Sequence, residues 1–356
     1  MKEFFPNILC CKYLLNSIKR LGLVIFCLCF MFIYGTYFFR TSTSRQPKSD
    51  LDNYTFDYLI ENDICENVPY LLILVHSASN HFEHRNVIRE TMGNPGGKLP
   101  SIKVAFLLAI TEDLQDKIWE ENQKHADIIQ GNFVDSYRNL TYKHAMGLSW
   151  ASSNCNRTKY IMKMDDDIFV DIYQLVDYIK NKLGDLHLQK NIACYYQRSM
   201  PVVRDTVSKW YVSKTEYQSD TFDDYCSGWA YITTPKVAGL LYEAVKKLPF
   251  FWVDDVHLTG SAAQVAGVGR IRLNQLYALE TDGLLDWTRS KAELRWDKVF
   301  APTWGDLDLS RRAHKKARMC HNRLCKCCYR KPTTPRPTTS STTVKGSAQL
   351  IVFPIH

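Results

Sequence analysis

The chain predicts an α/β fold with a mostly parallel central sheet. Two observations carry this. Continuous apolar runs of strand length alternate with amphipathic stretches of helical length, and the alternation persists through the first half of the 356 residues. Pro69–Val75 is apolar throughout, the pattern of a strand buried on both faces. A helix is predicted near Glu83–Thr91, a second strand at Ile102–Leu108 and a helix at Asp113–Lys124. A short strand follows at Ala126–Ile129. Tyr137–Ser152 has apolar residues at helical spacing, among them Leu140, Met146, Leu148 and Trp150. Tyr160–Met164 reads as a strand and Asp171–Leu183 as an amphipathic helix.

The strand at Tyr160–Met164 runs into Asp165, Asp166 and Asp167. In α/β folds the C-terminal ends of parallel strands open into the crevice where ligands bind. Three adjacent carboxylates there repel one another unless a cation neutralises them, and hard oxygen ligands suit Mg²⁺ or Mn²⁺. A solvated acidic turn is the alternative. The apolar residues on both sides of the triplet, ending in Ile168-Phe169-Val170, argue against it.

The formal charge of +8 does not indicate a nucleic-acid groove. Ten Lys and Arg residues and no acid fall within residues 311–336, leaving the rest close to neutral. Leu21–Phe39 is uncharged and almost wholly apolar, and nineteen helical residues span roughly 28 Å, about a bilayer core. Phe38, Phe39 and Arg40 suit a signal-peptide cleavage site poorly. The expected organisation is a cytosolic tail (1–20), an uncleaved transmembrane signal anchor (21–39), a stem (40–68), a luminal domain (69–330) and a Thr/Pro-rich disordered tail (331–356).

Eight of the twelve cysteines follow the apolar run: Cys65, Cys155, Cys194, Cys226, Cys320, Cys325, Cys327 and Cys328. An even set in an oxidising compartment reads as disulfides. Cys65 and Cys155 each precede an apolar strand of the same predicted sheet, so a bridge between them is expected. Zinc at Cys320–Cys328 is disfavoured, because the spacing lacks paired Cys-x₂-Cys units. Sequons begin at Asn53, Asn139 and Asn156, all after the apolar run.

Four ordered blocks between about Tyr70 and Gly260 carry a family resemblance. They are His84–Gly93; Asp127–Ile129 followed by Asn132–Lys143; Asp165–Asp167; and Tyr225-Cys226-Ser227-Gly228 with Asp254-Asp255-Val256 some thirty residues on. These resemble the β-1,3-galactosyltransferases and β-1,3-N-acetylglucosaminyltransferases of the Golgi, glycosyltransferase family 31, to which Fringe proteins are related. The resemblance implies a GT-A-type nucleotide-sugar-binding fold in a single-pass type II Golgi membrane protein. It also implies inverting transfer of galactose or N-acetylglucosamine from a UDP-sugar, in β-1,3 linkage, to a glycan on a glycoprotein or glycolipid. Mn²⁺, with Mg²⁺ as alternative, is the implied cofactor. A non-catalytic luminal binding protein or chaperone on the same fold is the second reading, and nucleic acid is not an expected partner.

By the resemblance Asp167 is the direct metal ligand, with Asp165 and Asp166 contacting ribose, sugar or metal-bound water, and Asp165 a second candidate ligand. Asp255 corresponds to the catalytic base of the family's Glu-Asp-Val motif, with Asp254 where the family usually has Glu. The residue-level alternative for Asp254-Asp255 is a pair favoured by a helix N-terminus. Arg85, Arg89 and Lys143 are candidate phosphate or nucleotide partners, Arg bidentately and Lys as a point charge. Asp135 is expected to contact the uracil or position its loop, and His76 and Ser77 to line the nucleotide pocket. The chain departs from the family at Met92, in place of Trp, and at Trp229-Ala230, in place of further glycines. No C-terminal histidine sits in a family-like motif, leaving His257, His314 and His321 as candidates for a third metal ligand.

Overall fold

A computed structural model describes residues 54–96, 99–291, 294–322 and 325–329. The expected anchor at 21–39 and the tail at 331–356 lie outside them. No helix among the described residues is long and apolar enough to cross a membrane.

Eight strands form one mixed sheet: β1 (Tyr58–Ile60), β2 (Leu71–His76), β3 (Ile102–Ile110), β4 (Ile128–Val134), β5 (Tyr160–Asp165), β7 (Asn191–Gln197), β8 (Tyr225–Thr233) and β9 (Gly269–Arg272). Their spatial order is β1-β4-β3-β2-β5-β8-β7-β9. The run β4-β3-β2-β5 is parallel, as the alternating pattern predicts. Beyond β5 the sheet turns mixed: β8 is antiparallel to both β5 and β7, and β9 is parallel to β7. Strand β6 (Ile168–Val170) leaves the main sheet and pairs antiparallel with β11 (Phe300–Pro302). Strands β10 (Leu294–Trp296) and β12 (Lys326–Tyr329) form a third, two-stranded unit.

The continuous apolar runs are explained by burial on both sheet faces. Leu71, Ile73 and Val75 of β2 enter one core, and Leu72 and Leu74 the other. The first core contains Ile88 of α1 (Phe82–Glu90), Leu175 of α4 (Ile172–Tyr178), Trp287 of α6 (Asp282–Arg289) and Leu309 of α7 (Leu307–Asn322). The second contains Leu148 and Trp150 of α3 (Leu140–Asn154) and Leu241 of α5 (Pro235–Val245). The intervening α2 spans Gln115–His125. Helices on both faces of a sheet follow from strands with no polar face to leave in water.

Two expectations need correction. The folded body begins before Pro69: Tyr54 and Ile60 are buried, and β1 pairs antiparallel with β4. That strand has three residues and its partner lies about seventy positions away, so no local periodicity announces it. Among the described side chains the cysteines pair only in part. Cys65–Cys155 closes as expected and Cys194–Cys226 ties β7 to β8, but Cys320 and Cys325 are free thiols.

Candidate active site

Parallel register builds the site. His76 at the end of β2 aligns with Asp165 at the end of β5, and Asp166 N–H donates to the His76 carbonyl at 3.1 Å. Asp165, Asp166 and Asp167 line a cleft of about 890 Å³ together with His76, Ser77 and Asp255. Period-two alternation puts Lys163 on the same face of β5 as Asp165. The ammonium of this 2% exposed lysine donates to Asp165 at 2.7 Å and to the Gly228 carbonyl at 2.6 Å, joining β5 to β8.

Each member of the triplet has a different environment. Asp165 is pushed up to about 6 by burial, against the opposing pull of Lys163. Asp166 accepts from Ser77 Oγ at 2.7 Å and is 2.9 Å from His81 Nδ1, a bond that raises the His81 pKa. Asp167 forms no ion pair among the described residues. Burial, then the charges of Asp165 and Asp166, push it up to about 7. Its backbone carbonyl is held by Thr303 N and Oγ1 at 2.8 and 2.7 Å, which fixes the β6–β11 pair beneath it.

Asp255 reaches the same cleft from the start of a π-helical turn, Val256–Ala262. One oxygen accepts Val256 N–H at 2.8 Å and the other Gly228 N–H at 3.3 Å. The helix-terminus reading and the cleft reading therefore hold together. Burial, then the neighbouring Asp254 charge, push Asp255 up to about 7. Asp254 goes the other way. Burial opposes its charge, but the His144 hydrogen bond and the Lys163 ammonium hold it below the usual carboxylate range.

The galactosyltransferase family model matches residues 83–274. The chain belongs to the galactosyltransferase family. It is 35% identical over 256 residues to mouse beta-1,3-galactosyltransferase 1, covering 70% of this chain and 75% of the relative. It is 36% identical over 225 residues to human lactosylceramide 1,3-N-acetyl-beta-D-glucosaminyltransferase, covering 60% of this chain and 59% of the relative. Zebrafish lactosylceramide 1,3-N-acetyl-beta-D-glucosaminyltransferase A matches at 30% over 253 residues, 67% and 66% of the two chains. Membership makes the protein a glycosyltransferase.

Several predicted residues of this galactosyltransferase-family chain stand elsewhere than expected. Arg85 does not line the cleft. It is 0% exposed, grips Glu121 through Nε and Nη2 at 2.7–3.1 Å, and donates to Ser77 Oγ and to the carbonyls of Ala78 and Ser79. Arg89 pairs with Asp127 and Glu121, also away from the cleft. Both guanidiniums are held by buried or half-buried carboxylates and are not available to a phosphate. Lys143 lines the cleft, but its ammonium is held by Asp135 at 2.7 Å and the Ser77 carbonyl at 2.8 Å. Asp135 also accepts from Ser79 Oγ at 2.9 Å, which favours loop positioning over uracil contact. His257 bonds Tyr54, His314 packs edge-on against Phe169, and His321 stacks on Tyr173; none lines the cleft.

The cleft also holds His81, Trp210, Trp252 and Trp304, which the sequence reading does not single out. His81 and His84 stack with centroids 4.2 Å apart at the start of α1. Their spacing of three at a helix start is a usable signal. Trp304, at φ 50°, packs edge-on against Trp229 at 5.9 Å, and both line the cleft with Trp210 and Trp252. Trp229 is thus a wall of the site.

Proposed function

We propose that this protein transfers a hexose from a UDP-sugar to a hydroxyl of a glycan acceptor, in β-1,3 linkage and with inversion, on a GT-A-type fold. Asp255 carries the reading. It is a partly buried carboxylate in the same cleft as the Asp165–Asp167 cluster, pushed up to about 7, where a general base works best at neutral pH. An inverting transfer needs one such base. Its carboxylate takes the acceptor hydroxyl proton as that oxygen bonds the anomeric carbon. The bond from that carbon to the diphosphate breaks on the opposite face, and its electron pair leaves with UDP.

Asp167, joined by Asp165, fits a divalent cation. It is a desolvated negative centre without an ion-pair partner among the described residues. No three His, Cys, Asp or Glu side chains there form a metal cage by themselves. Mn²⁺ and Mg²⁺ are commonly held by one or two carboxylates, with diphosphate and water completing the shell. When bound, such an ion neutralises charge developing on the leaving diphosphate. His81 and Ser77 orient Asp166, and Lys163 orients Asp165.

Galactose is the favoured donor sugar and N-acetylglucosamine the alternative, since a relative named a galactosyltransferase matches at 35% over 256 residues and relatives named N-acetylglucosaminyltransferases at 36% over 225 and 30% over 253. A luminal, membrane-anchored protein of the Golgi is supported by the Leu21–Phe39 apolar run and by two disulfides that suit an oxidising compartment. The test is full-length protein in detergent assayed against a panel of UDP-sugars and glycan acceptors, with Mn²⁺ or with chelator. Mn²⁺-dependent galactose transfer is expected. UDP binding without transfer from any donor would instead favour the non-catalytic reading.

A further inference from the structure

Asp254, the neighbour of Asp255, is itself held by a buried partner. His144, on α3, is buried with its side chain 1% exposed, and its Nδ1 lies 2.9 Å from Asp254 Oδ2. Its Nε2 lies 2.7 Å from Tyr231 Oη on β8. The carboxylate of Asp254 only accepts, so the Nδ1 carries the proton and Nε2 accepts from the tyrosine hydroxyl. Burial lowers the His144 pKa, which agrees with a neutral ring in this single tautomer. The ring is clamped on its faces and edges: it stacks on Tyr231 at 5.7 Å and meets His76 edge-on at 5.1 Å.

The chain Tyr231–His144–Asp254 ends one residue from Asp255. Asp255 itself is tied to Gly228, three residues before Tyr231 on the same strand β8. The two neighbouring carboxylates are therefore braced against one strand by two separate struts, one direct and one through His144. Removing the second strut leaves Asp255 held only by the Gly228 and Val256 amides. Misplacement of a reacting group by a fraction of an ångström to one ångström is enough to cost a large rate factor.

We infer that His144 is a positioning residue for the transfer reaction: its Nδ1–H fixes Asp254, and through it the placement of Asp255. The inference rests on the reading of Asp255 as base. His144 touches no substrate in this assignment and acts only through Asp254.

The test compares two isosteric half-replacements in the full-length enzyme. His144→Asn keeps a donor near the Nδ1 position and gives up the Tyr231 partner. His144→Gln keeps a polar group near Nε2 and gives up the bond to Asp254. We expect His144→Gln to lower kcat by about 10- to 100-fold, with the donor KM and Mn²⁺-dependent UDP affinity within about twofold of wild type. His144→Asn should recover kcat to within about threefold. Equal losses in the two variants, or a loss confined to KM, overturn the inference. Should both variants fail to fold, the tautomer of His144 in the wild-type enzyme carries the test: ¹⁵N NMR should find the ring protonated at Nδ1, the nitrogen that faces Asp254, and a ring protonated at Nε2 instead overturns the inference.

Asp255→Asn separates this inference from the one beneath it. Retained turnover in Asp255→Asn defeats the base assignment whatever His144 does. An inactive Asp255→Asn beside indistinguishable Gln and Asn variants of His144 defeats only the positioning role. Residual transfer in Asp255→Asn should fall no further on adding His144→Gln, because the two act on one step.

Discussion

Asp255 sits in an environment that raises its proton affinity from two sides, by burial and by the Asp254 charge. A carboxyl raised to about 7 is protonated below that pH and cannot take the acceptor proton. Transfer activity, as kcat/KM, should therefore fall as pH drops through about 7, tenfold per unit at the limit. A flat profile from pH 5.5 to 8 would remove Asp255 from the role. Asp255→Asn should lower kcat by about 10²- to 10⁴-fold while Mn²⁺-dependent UDP binding, followed by calorimetry, is kept. The Asp165–Asp167 motif and Asp255 were legible in the sequence, because their blocks stand in fixed order. Lys163 was legible in principle from strand alternation with Asp165. The His144–Asp254 pair was not, since 110 residues separate its members and neither lies in a pattern that names the other.

At the scale of elements, Arg85 shows how a family-like block can serve the site indirectly. From α1 it bonds Glu121 of α2 and three groups of the loop Ser77–Ser79, so it shapes the cleft from behind. Removing one partner of a buried ion pair strands the other. Arg85→Ala should destabilise the fold by about 3–5 kcal/mol in urea titration. A variant as stable as wild type but weaker for UDP would return Arg85 to the nucleotide. The Cys65–Cys155 bridge spans 90 positions and ties the segment before β2 to the one before β5. Its double replacement by serine should cost about 2–5 kcal/mol, seen as a lower melting temperature under non-reducing conditions. That bridge was predictable because both cysteines precede strands of one sheet. Short β1 was not predictable, since three residues at a sheet edge carry no periodicity of their own.

For the whole molecule, the cleft concentrates carboxyls with raised pKa. Burial pushes Asp165, Asp167 and Asp255 up to about 6, 7 and 7, with neighbouring carboxylates adding to the rise at Asp167 and Asp255 and Lys163 opposing it at Asp165. An acid whose folded pKa exceeds its unfolded value favours the fold while protonated. That stability is present below the unfolded value, near 4, and is lost as pH rises towards 7. Chelator-treated protein should thus melt at a lower temperature at pH 7.5 than at pH 5.5, with Mn²⁺ plus UDP restoring the difference at pH 7.5. Asp167→Asn should flatten the slope by about one proton's linkage, and an unaltered slope would mean that Asp167 is not strained by its neighbours. The sequence by itself determined the α/β alternation, the parallel run of strands, the carboxylate triplet, the base candidate and the family, because these depend on local periodicity or on short ordered motifs. Only the tertiary structure decided which charges remain available in the cleft. Arg85, Arg89 and Lys143 look alike as free cations in a sequence, but Arg85 and Arg89 meet carboxylates 36 and 38 positions on and Lys143 is held by Asp135, while Asp167 has no ion-pair partner among the described residues. Pairing is a property of packing between elements, and no local pattern records it.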